Sequence, residues 1–465
     1  MKPKVTVYIA CHNYARFLVQ SVDSVLQQTM TDWELLIIND GSTDDTRQVM
    51  EIYTSDPRIR LFHTEGIGLP GVCNLALKEA NGEYLIRLDG DDVFEANILL
   101  VLANYLDRHE AIALVFPDFF LMDSAGFVFS QERREPVLYS NHMLDMPPNG
   151  ACTLVRKNVL QELGGYREDL GAQDGFDLWA RVNKQYPCGN VNVPLFYYRR
   201  HGGNLTETTQ RIVTARRVIK QDATSADLTQ FEPITAVIPC RRFYDFCPDL
   251  WSEMVGEKSL LERAIESCLK VSLLDHIVVT SDTDKTVDTI NKYSDSRLKH
   301  VARSTDHTIR SKPVAYSLDL VRQKLDLDLK GITLLVVATA PFLSPESIEE
   351  AINTLVLNDC DSVSAVEIIA QPLYKRGPHG LESINPQRGL ISDFDTIYAD
   401  TRTCVATRNS CLRDGSITGS RVVHFEIMDA EKFGIRNSND LIVARSLVKG
   451  NRPATDGGPK RDASI

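Results

Sequence analysis

Asp89, Asp91 and Asp92 fall within four residues, directly after the apolar run "LIRL", so an apolar segment ends in three like charges. Two readings are open. Asp and Gly are good turn formers, and with Gly90 among them the acids suit a solvated turn. Hard carboxylate oxygens gathered at one point also suit Mg²⁺ or Mn²⁺, an ion able to neutralise the oxygens of a nucleotide diphosphate. Another acid, Asp40, closes the run "WELLIIND" beside Gly41 and Ser42. Asp44 and Asp45 then read as first-turn acids that favour a helix dipole.

The elements that must position these acids alternate. Short apolar strands ("VTVYIA", "WELLIIND", "IRLFHT", "EYLIRLD") are separated by amphipathic segments, Phe17 to Gln28 and Thr43 to Tyr53 among them. That pattern predicts an α/β fold with a largely parallel sheet. In such sheets ligands gather at the carboxyl ends of the strands, where Asn13, Asp40 and the 89–92 cluster would share one edge. Residues 205–232 turn polar and helix-prone, the mark of a connecting helix and linker. A second strand–helix series begins at "ITAVIPCRR". Both series open on a strand ending in a Cys-polar pair, "YIACHN" and "VIPCRR", as two related units in tandem would. The expected organisation is residues 1–206, a helical linker at 207–231, a second domain at 232–449 and a disordered tail at 450–465.

Bulk properties narrow the class. The 465 residues are 43% hydrophobic and 25% charged, ordinary globular material too long for one small core. A net charge of -12 opposes nucleic-acid binding by general electrostatics, which needs a basic face. No apolar run reaches the roughly 18 residues of a membrane span, and the first residues turn polar too soon for a secretory signal. The expectation is a cytoplasmic protein with at most peripheral contact at the inner face of a membrane. Ten cysteines stand singly without CxxC spacing and read as free thiols. Cys11 and Cys240, at strand ends, are the two placed for site work.

The segments "VTVYIACHN", "SVDSVLQQT", "NDGSTD", "GLPGVCNLA" and "GEYLIRLDGDD" come in the order and spacing of the family 2 glycosyltransferases of the GT-A fold. The chain resembles that family over about residues 3–206. The resemblance implies a nucleotide-sugar donor, UDP-linked by expectation, held by Ala10, His12, Asn13, Asp40, Arg87 and Asp89. Asp40 would face the base, Asp89 the ribose or diphosphate, and Asp91 a Mn²⁺ or Mg²⁺ ion, with Asp92 in support. "GAQDGFDLWARV" resembles the family's acidic catalytic motif. An inverting transferase needs a carboxylate to take the acceptor hydroxyl's proton, which favours Asp174, while Asp177 suits a helix cap. "FYYRRHGGNLT" resembles the family's closing motif and implies His201 as a second metal ligand, with Arg199 or Arg200 for phosphate. Two departures stand out. Ala10-Cys11-His12 replaces Pro-Thr-Tyr, and Cys73 replaces an Arg, for which Arg87 is the expected substitute.

Residues 232–448 resemble the acylneuraminate (CMP-sugar) cytidylyltransferases, through "ITAVIPCRR", "EKSLLERAIESCLKVSLLDHIVVTSD", "ATAPFLSPESIEEAI" and "CDSVSAVE". The resemblance implies nucleotide contacts from Arg241, Arg242 and Lys258. The glycine-rich loop is missing, however, and the family's metal carboxylates fall on Gly434 and Arg436, where a cation repels a metal. Asp282 and Asp440 are the displaced candidates.

The expectation is two tandem nucleotide-diphospho-sugar-transferase-like (Rossmann-like, GT-A) domains with mostly parallel central sheets. The first acts as an inverting, metal-dependent glycosyltransferase on a glycan or glycoconjugate acceptor, in surface polysaccharide or glycoconjugate assembly. The second is expected to be a degenerate cytidylyltransferase-like domain, one that binds a nucleotide or partner or fixes the transferase's geometry, and a route to oligomers. The alternatives are a bifunctional enzyme that also activates a nonulosonic acid with CTP, a nucleotidyltransferase whose first half only binds substrate, and a non-catalytic nucleotide-sugar-binding scaffold.

Overall fold

The computed structural model describes residues 2–133, 150–201, 209–307, 312–369, 371–385 and 397–450. The expected domain end at 206, residues 134–149 and the tail from 451 lie outside these. The chain forms two compact units, Met1–Ala223 with Gln371–Asp395, and Thr224–Ala370 with Thr396–Ile465.

The first unit runs β1 (Val5–Cys11), α1 (Ala15–Leu26), β2 (Trp33–Asp40), α2 (Thr46–Glu51), β3 (Ile59–Thr64), α3 (Gly68–Glu79) and β4 (Tyr84–Asp89). It continues through β5 (Val93–Phe94), α4 (Ile98–Arg108), β6 (Leu114–Met122), β7 (Val128–Glu132), β8 (Leu154–Arg156), α5 (Lys157–Glu162), α6 (Asp174–Asn183), β9 (Cys188–Arg199) and α7 (Thr209–Thr224). Helix α7 occupies the expected linker. The sheet order is β3-β2-β1-β4-β8-β6-β9-β5, with β7 on β6. β3, β2, β1 and β4 are mutually parallel. Strand β2 is buried at every position, which is why it reads as an unbroken apolar run rather than an alternating one.

The second unit contains β10 (Ile234–Cys240), β11 (Met254–Val255), β12 (Lys258–Ser259), α8 (Leu260–Leu269), β13 (His276–Ser281), α9 (Lys285–Ile290), β14 (Leu298–Ala302), α10 (Ala315–Lys324) and β15 (Ile332–Val336). There follow α11 (Pro345–Asn358), β16 (Ser362–Ile369), β17 (Tyr374–Gly377), β18 (Gly380–Ser383), β19 (Ile397–Arg408), α12 (Asn409–Arg413), β20 (Val422–Glu426) and α13 (Ser438–Gly450). Of these, the β17–β18 hairpin clusters with the first unit. The main sheet is ordered β14-β13-β10-β15-β19-β16-β20. Numbered within each unit, the parallel strands of both sheets run third, second, first, fourth. The order reverses beside the first strand, and that reversal opens a crevice at the carboxyl ends.

Each unit has its own apolar core. Leu18, Val22 and Val25 on α1 pack against β1 and β2 residues such as Ile9 and Ile37, all wholly buried. Their helical spacing lays one stripe on the sheet, and each contributes about 1.5–3 kcal/mol by burial. Helix α1 starts two residues before the periodicity predicts, and α2 starts three after. Asp44 explains the second shift. Its carboxylate accepts hydrogen bonds from the Thr46 amide (3.0 Å) and the Ala15 amide (3.0 Å). It therefore ties the loop ahead of α2 to the start of α1 rather than sitting in a first helical turn.

Candidate active site

The parallel register sets the edge. Ala10 pairs with Ile38 on one side and Asp89 on the other, so β1, β2 and β4 end level. Gly90 follows, and a Cβ there would lie 3.2 Å from both the Ala10 carbonyl and Cys11 Sγ. Space, rather than backbone freedom, keeps this position glycine.

The acid turn is held from α1. Ser21 Oγ donates to the carbonyls of Gly90 (3.0 Å) and Asp92 (2.6 Å). Ser24 Oγ accepts from the Phe94 amide, and Gln28 donates to the Glu95 carbonyl and accepts from the Leu99 amide. The polar positions of "SVDSVLQQT" thus form one stripe that satisfies the backbone of residues 90–99. β5 pairs antiparallel with β9, Val93 opposite Tyr197 and Phe94 opposite Phe196. Continued past the strand ends, that register brings the residues after β9 back to the acid turn.

It brings His201 to Asp91. His201 Nε2 lies 2.9 Å from Asp91 Oδ2, with both side chains 6% exposed. Phe17 packs on the imidazole at 5.3 Å and Tyr14 meets it edge-on at 6.0 Å. Arg199, expected near phosphate, is buried. It donates from Nε to the Asp91 carbonyl (2.8 Å) and from Nη2 to Gln20 Oε1 (2.7 Å), and its amide donates to Asp92 Oδ1 (2.9 Å). Arg199 therefore anchors the acid turn, while Arg200 is exposed. Asp92 Oδ2 is buried without a hydrogen-bond partner. Burial first, then the charges of Asp91 and Asp89, push its carboxyl well above the usual range. Burial likewise raises Asp89 to about 6, with Asp91 and Asp174 adding to the shift and Arg87 opposing it.

Crowded acids, an orphaned carboxylate oxygen and an adjacent imidazole are a donor set that a divalent cation would stabilise. Cis ligands of an octahedral ion at about 2.1 Å stand roughly 3 Å apart, compatible with the Asp91–His201 separation. Among the described residues no group of three or more His, Cys, Asp or Glu side chains is arranged to hold a metal. A cation here would thus take two protein ligands and draw the rest from phosphate and water, a habit of Mg²⁺-like ions.

Two expected donor contacts are placed differently. Asp40, expected to face a base, accepts from Thr64 Oγ1 (2.6 Å), the Ile67 amide (2.7 Å) and the Gly68 amide (2.9 Å). It satisfies amides at the start of α3 that the helix cannot satisfy itself. Arg87, expected to supply a cation to the donor, is 5% exposed. Its Nη1 lies 2.5 Å from Asp174 Oδ2, and its Nε 2.9 Å from Asp89 Oδ1, an ion pair without hydrogen-bond alignment. His12 and Asn13 remain at the edge. His12 Nδ1 lies 2.7 Å from the Asp40 carbonyl, which sets the Nδ1–H tautomer. Asn13, at φ 62°, has its amide on Ser42 Oγ.

Asp174 opens α6 and pairs with Arg87. Asp177 lies inside the first turn, 4% exposed and bound by Arg181 through Nε (2.9 Å) and Nη2 (2.6 Å), so it is a buried structural partner rather than a cap. Gly150, at the head of the segment "NGACTLVRKNVLQELGGYRED", completes this corner. A Cβ there would stand 2.6 Å from Asp174 Oδ2.

In the second unit the Arg242 amide donates to Asp282 Oδ1 (2.9 Å), and Arg303 Nη2 donates to the Cys240 carbonyl (2.6 Å). Arg241 lies over the Tyr244 ring at 4.6 Å, and Lys258 pairs with Glu266. Asp440 accepts from the amides of Arg436 (2.7 Å) and Asn437 (3.2 Å), while Asn437 Oδ1 accepts from Asp440 N (3.1 Å). This reciprocal box caps α13 and commits the Asp440 carboxylate to backbone.

Two tandem α/β units with acid- and arginine-bearing strand ends define a class of nucleotide-handling folds. Residues 6–163 match the glycosyl transferase family 2 model and residues 253–376 the cytidylyltransferase model. The chain therefore joins a family 2 glycosyltransferase domain to a cytidylyltransferase-like domain. It is 23% identical over 246 residues to the chondroitin synthase of Escherichia coli, across 52% of this chain and 36% of that one. The chain spans 30% to 39% of the length of the first four curated relatives it matches. Similar solved structures include S. aureus TarS 1-349 in complex with UDP, 17% identical, covering 48% of this chain and 66% of that chain at a TM-score of 0.40. A CMP:2-keto-3-deoxy-manno-octonic acid synthetase with CTP is 14% identical, covering 47% and 99% at 0.38. Among the described residues no helix is long and apolar enough to cross a membrane.

Proposed function

We propose that the first unit transfers a sugar from a UDP-sugar donor to a hydroxyl of a glycan or glycoconjugate acceptor, with inversion at the anomeric carbon. One observation carries the reading: a single guanidinium, Arg87, links Asp174 to Asp89, two residues from the Asp91–His201 pair. A proton acceptor and a candidate metal pair therefore share one strand edge. Asp174 accepts the acceptor hydroxyl's proton as its oxygen attacks the anomeric carbon, and the bond to the diphosphate oxygen breaks with its electron pair. Ala10, His12, Asn13 and Asp89 line the donor side, with Asp40 holding the α3 loop behind them. Mn²⁺ or Mg²⁺ on Asp91 and His201 would supply positive charge to the departing diphosphate.

The test is hydrolysis of UDP-, GDP- and CMP-sugars with Mn²⁺ by the whole chain. Asp91→Ala and Asp174→Asn are each expected to lower turnover at least about 100-fold. No turnover of any donor, with nucleotide binding intact, would make the chain a scaffold instead. The second unit we read as a cytidylyltransferase-like domain without turnover, because Asp440 is committed to a helix cap and Gly434 and Arg436 stand where metal carboxylates are needed. Pyrophosphate release from CTP with an acidic sugar would overturn that.

A further inference from the structure

Arg87 is a buried cation on a core strand, and it touches Asp89 two residues on and two residues farther away in sequence. Besides Asp174 and Asp89, its Nη1 lies 3.6 Å from Cys73 Sγ on α3. β4 and β8 pair antiparallel, and the Cys152 amide donates to the Arg87 carbonyl (2.7 Å), so the residues entering β8 run beside Arg87. Gly150 in that segment leaves room for the guanidinium, since a Cβ would stand 3.0 Å from Nη2. In the pattern this segment resembles, position 73 carries Arg; here it is Cys, and the Arg87 guanidinium stands beside it.

We infer that Arg87 is a positioning residue. It delivers from β4 the guanidinium that the pattern delivers from position 73, and fixes Asp174 against the donor-side Asp89. The inference rests on the reading of Asp174 as the proton acceptor. The guanidinium directs Asp174 through an aligned N–H bond while its spread charge reaches Asp89, a combination that a lysine point charge does not reproduce. Without it, two half-buried carboxylates repel and Asp174 loses its direction toward the acceptor.

The test is an exchange of the two positions, read as kcat and KM for donor hydrolysis with Mn²⁺ across the UDP-, GDP- and CMP-sugar panel. Arg87→Phe is expected to lower kcat about 100-fold while the donor KM changes less than about threefold. Arg87→Lys falls between it and wild type. Cys73→Arg alone is impaired, because it sets two guanidinium groups against each other in a buried space. Cys73→Arg with Arg87→Phe is expected to recover kcat to within about tenfold of wild type. Wild-type kcat in Arg87→Phe would overturn the inference. So would an exchange variant no faster than Arg87→Phe that keeps wild-type UDP affinity and melting behaviour. Should the exchange variant fail to fold, a urea-unfolding cycle of Arg87→Met and Asp174→Asn decides: additive effects overturn the pairing and coupled effects support it. Absence of donor turnover by the wild type would remove the glycosyl-transfer reading alone, and the same cycle would still judge the pairing.

Discussion

A Cβ at Gly150 would meet Asp174 Oδ2 at 2.6 Å and Arg87 Nη2 at 3.0 Å. Neither atom retreats easily, because each is half of the other's ion pair. Gly150→Ala is expected to destabilise by about 1–3 kcal/mol in urea unfolding, as overpacking does, and to lower donor turnover more than a surface Gly→Ala. Asp89 sets a pH dependence. Its folded-state carboxyl, raised to about 6, binds more protons than the unfolded chain does. Its contribution to stability is therefore fully present below the unfolded value, about 4, and is lost as pH rises to about 6. In EDTA, Asp89→Asn should flatten that part of the melting-temperature profile relative to wild type; an unchanged slope would refute the shift. At this scale the sequence shows which residue types stand at strand ends. It does not show why Gly150 matters, since that is a distance to side chains far along the chain.

At the scale of elements, α1 does two jobs with two stripes. Leu18, Val22 and Val25 pack on the sheet, while Ser21, Ser24 and Gln28 satisfy the backbone that carries the acids. Gln28→Ala would leave the Leu99 amide and Glu95 carbonyl short of partners, a loss of about 1–3 kcal/mol. Urea unfolding measures that loss, and a Gln28→Glu variant, which sets a buried carboxylate oxygen against the Ser24 and Glu95 carbonyls, should lose at least as much. The apolar stripe is legible from helical period. The polar stripe is legible as a motif, but its target is not, because spacing along a helix does not say which loop lies opposite. Helix α2 is shorter than its pattern because the Asp44 side chain offers the backbone a turn, a local competition that periodicity overlooks.

For the whole molecule, both units repeat one parallel strand order, and among the described residues the first gathers a cluster of acids where that order reverses. In the second unit the same edge carries Arg241 and Arg242, and Asp440 is drawn into the cap of α13. Full-length protein is therefore expected to release no pyrophosphate from CTP and an acidic sugar at Mg²⁺ levels that support donor hydrolysis. Adding carboxylates at Gly434 and Arg436 tests the cause. A Cβ at Gly434 meets nothing within 4 Å, so Gly434→Asp with Arg436→Asp should fold, and a metal-dependent change in its melting would mark a restored site.

The sequence by itself determined the two α/β units, the strands that end at the sites and the acids they carry. Apolar runs and turn residues act locally, and "LDGDD" needs no partner to be recognised. Tertiary structure decided what each acid does. Asp40 turned inward because the unpaired amides of α3 lie beside it, and His201 reached Asp91 through the antiparallel pairing of β5 with β9. Arg87 became the tie between Asp89 and Asp174 because β4, α3 and α6 converge there. Such assignments depend on register and packing between residues far apart in the chain, which residue type and spacing do not encode.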